Sequence, residues 1–258
     1  RLEWYDLARG ALERTSPDGS VTGRPVRTLW NTMCLSHLEL VTGNLAAAER
    51  AATTTIEMGR AMSNYSLADV GSAALAGVRA WQGQAAVCRQ LVSGVIETAI
   101  RQQEIDFEAQ ARTPLGTLAL GTGAPGDAVA DLERIANRWV ESGAIEPGAA
   151  PFVPELVEAY GLVGRPRDAA ALLAEFRGRA ERVSRTWAIA ASHRCAGLVE
   201  GAFDESFRLA LDLLDGTPLA LERARTHLAY GERLRRKRRR RDARPQLRTA
   251  LDLFTRAG

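Results

Sequence analysis

The sequence predicts an all-α protein, an α-solenoid of antiparallel helix pairs that repeat about every 40 residues, like tetratricopeptide units. Three observations predict it. Small, turn-forming residues recur in VTGNLAAAE, WQGQAAVCR, GTGAPGDAV, LVGRPRDAA and VEGAFDESF, anchored at Gly43, Gly83, Gly123, Gly164 and Gly201, with steps of 40, 40, 41 and 37. Counting five, nine and twelve positions on from each anchor lands on apolar residues almost without exception, and these offsets mark one stripe of a helix. No stretch shows the two-residue alternation of a half-buried strand.

Each anchor follows an apolar helical stretch, such as LSHLELV before Gly43 and ELVEAYGLV before Gly164, so each unit reads helix, short turn, helix. The five-on position is small in every unit: Ala48, Cys88, Ala128, Ala169, Ser206 and Ala243. A small residue at a helix start lets two backbones approach, and larger ones below it, such as Leu132, Leu173, Leu247 and Phe176, fill the seam. A unit of this size cannot bury its apolar faces alone, whereas a stack of them can.

The pattern gives about thirteen helices over one helical-repeat domain, residues 1–258, with a weaker N-terminal cap at 1–25. Residues 16–25, SPDGSVTGRP, and 142–154, SGAIEPGAAPFVP, are the two clear loops, the second tied down by Phe152 and Val153. Thr217 and Pro218 read as the start of the penultimate helix. Trp30, Trp81, Trp139 and Trp187 fall near unit boundaries, where a large ring plugs the space between stacked pairs.

At 46% hydrophobic and 25% charged residues, the chain has ample material for a core. Cys34, Cys88 and Cys195 lie far apart without a CxxC, which points to buried thiols in a reducing, cytoplasmic compartment. No apolar run reaches the roughly 18 residues that span a bilayer. The chain begins at Arg1 and reads as a piece of a longer protein.

The segments ESGAIEPGAAPFVPELVEAYGLVGRPRDAAALLAEF and PLALERARTHLAYGERLRRKRRRRDARPQLRTALDLFTRAG resemble the tetratricopeptide-like helical region of the large ATP-binding LuxR-type transcriptional regulators. The resemblance implies a sensor or protein-interaction arm that couples a protein or small-molecule effector to transcription control. It places ATP at an upstream domain and DNA at a C-terminal domain, neither within these residues, and it leaves room for a homo-oligomer. The alternative is a stand-alone tetratricopeptide-like adaptor.

Chemistry finds little support within the chain. A phosphate-binding P-loop needs GxxxxGK, and the sole lysine, Lys237, sits in RRKRR. GTGAPGD, between two helical stretches, reads as a turn. His37, His193 and His227 show no i, i+4 pair for a metal, and His193 with Cys195 lie two apart, on different helix faces. No GxSxG elbow is present, and carboxylate pairs such as Glu155 with Glu158 suit a solvated helix face. The sequence therefore predicts a non-catalytic module without cofactor or metal.

The basic run is the one conspicuous feature. Residues 233–241 hold eight Arg and Lys; without them the chain carries 26 basic against 31 acidic residues, so the excess of positive charge belongs to one patch. A fifth step, again of 37, places Arg238 at a repeat boundary, where RRRRDARPQL stands in register with GRPRDAAALL. Arg235, Arg236 and Lys237 then close one helix, and Arg238, Arg239, Arg240 and Arg241 line the turn beyond it. The first reading is a solvated corner; the alternatives are docking to an acidic surface and contact with a DNA backbone.

Overall fold

The computed structural model describes residues 5–14 and 25–258, and among them thirteen α-helices and no strand. They are α1 (Tyr5–Arg14), α2 (Pro25–Thr42), α3 (Leu45–Ala61), α4 (Tyr65–Trp81), α5 (Ala85–Gln102), α6 (Ile105–Gly121) and α7 (Pro125–Ser142). After a 3₁₀ turn at Pro147–Ala149 come α8 (Val153–Leu162), α9 (Pro166–Val183), α10 (Thr186–Val199), α11 (Phe203–Leu214), α12 (Ala220–Arg236) and α13 (Arg240–Ala257). The predicted loop at 16–25 and most of the N-terminal cap lie outside the described residues.

The turns explain the period. Gly43, Gly83, Gly123 and Gly164 all take φ between 70° and 82°, the left-handed conformation that reverses a helix end at little cost to glycine. Between them, at half the repeat, Ser63, Gln103 and Ser184 adopt the same conformation with φ between 53° and 58°. The turn unit is thus about twenty residues: glycine also takes the half-repeat turn at Gly143 with φ 67°, and Arg238 takes a full-repeat one with φ 60°. Asn44 and Asn64 then accept hydrogen bonds from Ala47 N and Leu67 N at 3.3 Å, capping α3 and α4, while Pro125 and Pro166 open α7 and α9 at positions that need no donor.

The apolar stripe is buried. All six five-on residues are buried, and so are all the nine-on and twelve-on residues except the half-buried Leu213 and Leu247. Every one of these residues lies on an odd-numbered helix from α3 to α13. The even-numbered helices form the other layer, each touching the next even one from α2 to α12. They are small-residue-rich, and α4 (YSLADVGSAALAGVRAW) and α10 (TWAIAASHRCAGLV) are buried around most of their circumference. The even-numbered helices therefore line the inside of the array and the odd-numbered ones its outside.

Helices meet at backbone contact distance. A Cβ placed on Gly59 of α3 would lie 2.8 Å from Ala68 N of α4, and one on Gly231 of α12 would lie 2.7 Å from Leu247 Cγ of α13. The array also curves far enough for its ends to meet: α12 touches α2, and Leu45, Ala48, Val78 and Leu221 share a buried cluster against Trp81 and Phe254, whose rings lie 5.9 Å apart.

The loop after α7 is held from α9. Arg179, 2% exposed, donates to Trp139 O, Ala144 O and Val140 O at 3.3, 2.6 and 3.2 Å and stacks 3.8 Å over the Trp139 ring. One guanidinium thus caps the carbonyl end of α7, and Phe152 and Val153 are wholly buried beyond it.

Two expectations need correction. Trp30 is 51% exposed, because Leu29 takes the inward position of α2 and its neighbour points about 100° away. Thr217 does not open the penultimate helix: its hydroxyl donates to Leu214 O at 2.7 Å and so finishes α11, and α12 starts at Ala220. Because Leu173 is 1% exposed, Leu173→Ala should cost about 2 to 5 kcal/mol in urea unfolding. The half-buried Leu247 should cost less; equal and negligible losses at both positions would show that the stripe is not the seam.

Candidate binding surfaces

Two surfaces stand out, one on the inner layer and one at the basic corner. On the inner layer, five charged side chains from three consecutive even-numbered helices form one network: Glu155 and Glu158 of α8, Arg194 of α10, and Glu222 and Arg225 of α12. Arg194, with no exposed surface, donates from Nε to Glu222 Oε1 at 2.8 Å and from Nη1 to Glu158 Oε2 at 3.0 Å. Arg225 donates to Glu155 and, at 3.0 Å, to Glu158 Oε2, and its guanidinium lies 5.9 Å from the Trp81 ring.

Burial opposes the charge on Glu222, but Arg194 and Arg225 together hold its carboxyl below the usual range. Burial likewise opposes the charge on Arg194, and the surrounding carboxylates, Glu222 foremost, more than offset it, so its pKa lies above the ordinary value. Glu158 and Glu222 keep 21% and 18% side-chain exposure, so the network reaches solvent at its rim. Two of its buried polar atoms lack a hydrogen-bond partner, Arg194 Nη2 and Glu155 Oε2: one donor and one acceptor. With three carboxylates against two guanidiniums, the network carries one net negative charge.

The sequence reading set Glu155 and Glu158 on a solvated face, and the structure corrects this: Glu155 is 5% exposed. The i, i+3 spacing sets both on one face of α8, but only the fold shows that this face meets Arg225 of α12, which binds both, and Arg194 of α10, which binds Glu158. Other predicted candidates fall apart spatially or chemically. Cys195 is wholly buried, its Sγ 3.6 Å from Pro154 O, and burial pushes the thiol up to about 12. Among the described residues no group of three or more His, Cys, Asp or Glu is placed to hold a metal.

The basic corner lies where the register placed it. Arg235 and Arg236 end α12, Lys237 caps it, Arg238 takes the left-handed turn with φ 60°, and Arg239 precedes Arg240 and Arg241 in the first turn of α13. All seven are exposed. Arg239 is structural: it donates to Asp204 Oδ2 at 2.6 Å and Asp242 Oδ2 at 2.8 Å, while Tyr230 OH donates to Asp204 Oδ1 at 2.7 Å.

The same latch recurs two repeats earlier. Arg165 donates to Glu133 at 2.6 Å and to Asp168 at 2.6 Å, and Tyr160 OH donates to Glu133 at 3.0 Å. Arg165 and Arg239 are the residues that the repeat alignment superposes, so one arginine of the run repeats a joint used elsewhere. Arg236 pairs with Glu232 at 3.1 Å. Among the described residues Arg235, Lys237, Arg238, Arg240 and Arg241 have no ion-pair partner. Arg240 and Arg241 moreover sit at the positive end of the α13 dipole, where a cation is disfavoured by about 0.3 to 1 kcal/mol.

No helix among the described residues is long and apolar enough to cross a membrane. The chain matches no protein-family model, and no curated protein matches it in sequence. Solved structures do match its fold. The apo form of RapI superposes with a TM-score of 0.72 at 10% identity, over 98% of this chain and 91% of that one. A Rap protein complexed with competence and sporulation factor superposes with a TM-score of 0.82 at 14% identity, over 98% of this chain and 70% of that one. Aspartyl phosphate phosphatase F from Bacillus subtilis gives 0.69 at 10% identity, over 90% of this chain and 61% of that one. The fold is thus the tetratricopeptide-like helical repeat of the Rap proteins.

Removing Arg194 leaves Glu222 without its hydrogen-bonding cation and Glu158 with Arg225 alone, so Arg194→Met should cost about 3 kcal/mol in urea unfolding at pH 7. Because the native Glu222 carboxyl lies below its unfolded value, its contribution is complete above about pH 4.3 and is lost as pH falls through the lower native value. Glu222→Gln should therefore flatten the loss of stability below pH 4.3 relative to wild type, as acid titration of urea midpoints would show.

Proposed function

We propose that the chain is a non-catalytic protein-interaction module whose inner layer takes an extended peptide segment at the Arg194–Glu155 network. One observation carries this reading: a network of three carboxylates and two guanidiniums with one net negative charge reaches solvent on the inner layer through Glu158 and Glu222. A basic side chain of the peptide would meet Glu158 and Glu222 at the rim, and the net negative charge of the network favours such a segment.

The similarity to a Rap protein whose structure was determined with competence and sporulation factor supports a peptide or protein ligand on this fold. A setting within a LuxR-type transcriptional regulator rests on the resemblance of 141–176 and 218–258 alone. In that setting the peptide would be the effector, and ATP and DNA would be bound by other domains. The name phosphatase attached to one structural neighbour belongs to that protein.

Selection of random twelve-residue peptides on the immobilised chain, followed by calorimetry of the enriched sequences, tests the proposal. Enriched peptides should carry Lys or Arg and bind in the micromolar range, and Glu155→Gln should weaken them at least tenfold while leaving the circular dichroism melt cooperative. Peptides that bind wild type and Glu155→Gln equally would place the ligand elsewhere, and failure to enrich any sequence would contradict a peptide-binding role.

A further inference from the structure

We propose that the outer face of α13 and the turn before it form a docking surface for the phosphate backbone of double-stranded nucleic acid. On α13, Arg240, Arg244 and Arg248 follow one another every four residues, and Arg241 falls on the same side, between about 60° and 160° from the buried position Ala243 on a helical wheel. Successive members of the ladder rise about 6 Å along the axis. All four are exposed, and none has an ion-pair partner among the described residues. Of the acidic residues of the helix, Asp242 lies on the other side and is occupied by Arg239, and Asp252 borders the stripe at its C-terminal end, one turn beyond Arg248, without an ion pair to it.

Arg235, Lys237 and Arg238, exposed and without an ion pair among the described residues, stand at the end of α12 and in the turn that leads into this helix, which brings the unpaired cations of the corner to seven. Within the run the fold uses Arg233 against the Phe203 ring, Arg236 with Glu232, and Arg239 with Asp204 and Asp242, whereas Arg240 and Arg241 stand unpaired at the wrong end of a helix dipole. A surface that retains them against that bias is suited to a dense line of negative charge.

Chemistry separates the candidate polyanions. Protein interfaces centre on aromatic and apolar anchors with charge pushed to the rim, and this stripe has no aromatic residue and a single exposed apolar one, Leu251, at its far end. Single strands are held by stacking on aromatic rings, which are likewise missing from the stripe. An interfacial membrane helix needs a continuous apolar face opposite its charges, and that face of α13 is spent on α12, where Ala243 and Ala250 are buried. A duplex asks only for regularly spaced cations, one negative charge standing every 1.7 Å or so along its axis.

The contact should be independent of base sequence and steep in salt: with seven phosphates engaged, affinity should fall about a thousandfold or more between 50 and 200 mM salt. The inner-layer network takes no part in it.

Fluorescence anisotropy with a labelled 30-base-pair DNA duplex tests the inference, with polyglutamate and phosphatidylserine vesicles as rival polyanions. The quadruple variant Arg240→Gln/Arg241→Gln/Arg244→Gln/Arg248→Gln alters only exposed side chains and should melt like wild type. We expect duplex binding by wild type at 50 mM salt, at least tenfold weaker binding by the variant, and a salt slope shallower by about three to four. No duplex binding at 50 mM salt, an unchanged variant, or tighter binding to polyglutamate or vesicles than to duplex would overturn it.

Discussion

The rest of the structure depends on how closely its helices approach. Six inner helices crowd around one axis, and at Gly59 and Gly231 the neighbouring chain leaves no room for even a Cβ. That constraint selects small residues on the inner helices, moves the large apolar residues onto one stripe of each outer helix, and fixes a turn about every twenty residues. Dispersion and burial at such short range give the array its cohesion, because no unit could bury its own faces.

The same crowding decides where charge can go. Where inner-layer side chains are enclosed, their charges are paired, as Arg194 is with Glu158 and Glu222 across helices. A buried network of this kind contributes less to stability than to specifying one arrangement, since each partner is costly to leave alone. It also leaves a few polar atoms unmet, which gives the inner layer its chemical character. On the outside charge is unconstrained, and the arginines of α13 accumulate there without cost to the packing seam.

Much of the fold was legible because the relevant signals are local. The left-handed turns at Gly43, Gly83, Gly123 and Gly164 need a residue that tolerates positive φ, and the small five-on positions record the backbone approach directly. The half-repeat turns at Ser63, Gln103 and Ser184 stayed hidden because polar residues took the same conformation, leaving no glycine to see. Sequence likewise aligned Arg239 with Arg165 but could not show that each meets a tyrosine and a carboxylate from the layer before it. The Arg194 network was invisible for the same reason: its partners come from α8, α10 and α12, up to 70 residues apart, and no spacing rule joins them.

The account stands most directly on one substitution in the α3–α4 seam. Within an uncrowded helix, Gly→Ala raises stability by about 1 kcal/mol through helix propensity, whereas a Cβ forced onto a neighbouring backbone lowers it by about 1 to 3 kcal/mol. Urea unfolding of Gly59→Ala therefore reads the packing by its sign. A clear loss of stability is the result predicted here, and a gain of about 1 kcal/mol would mean that the helices do not approach as described.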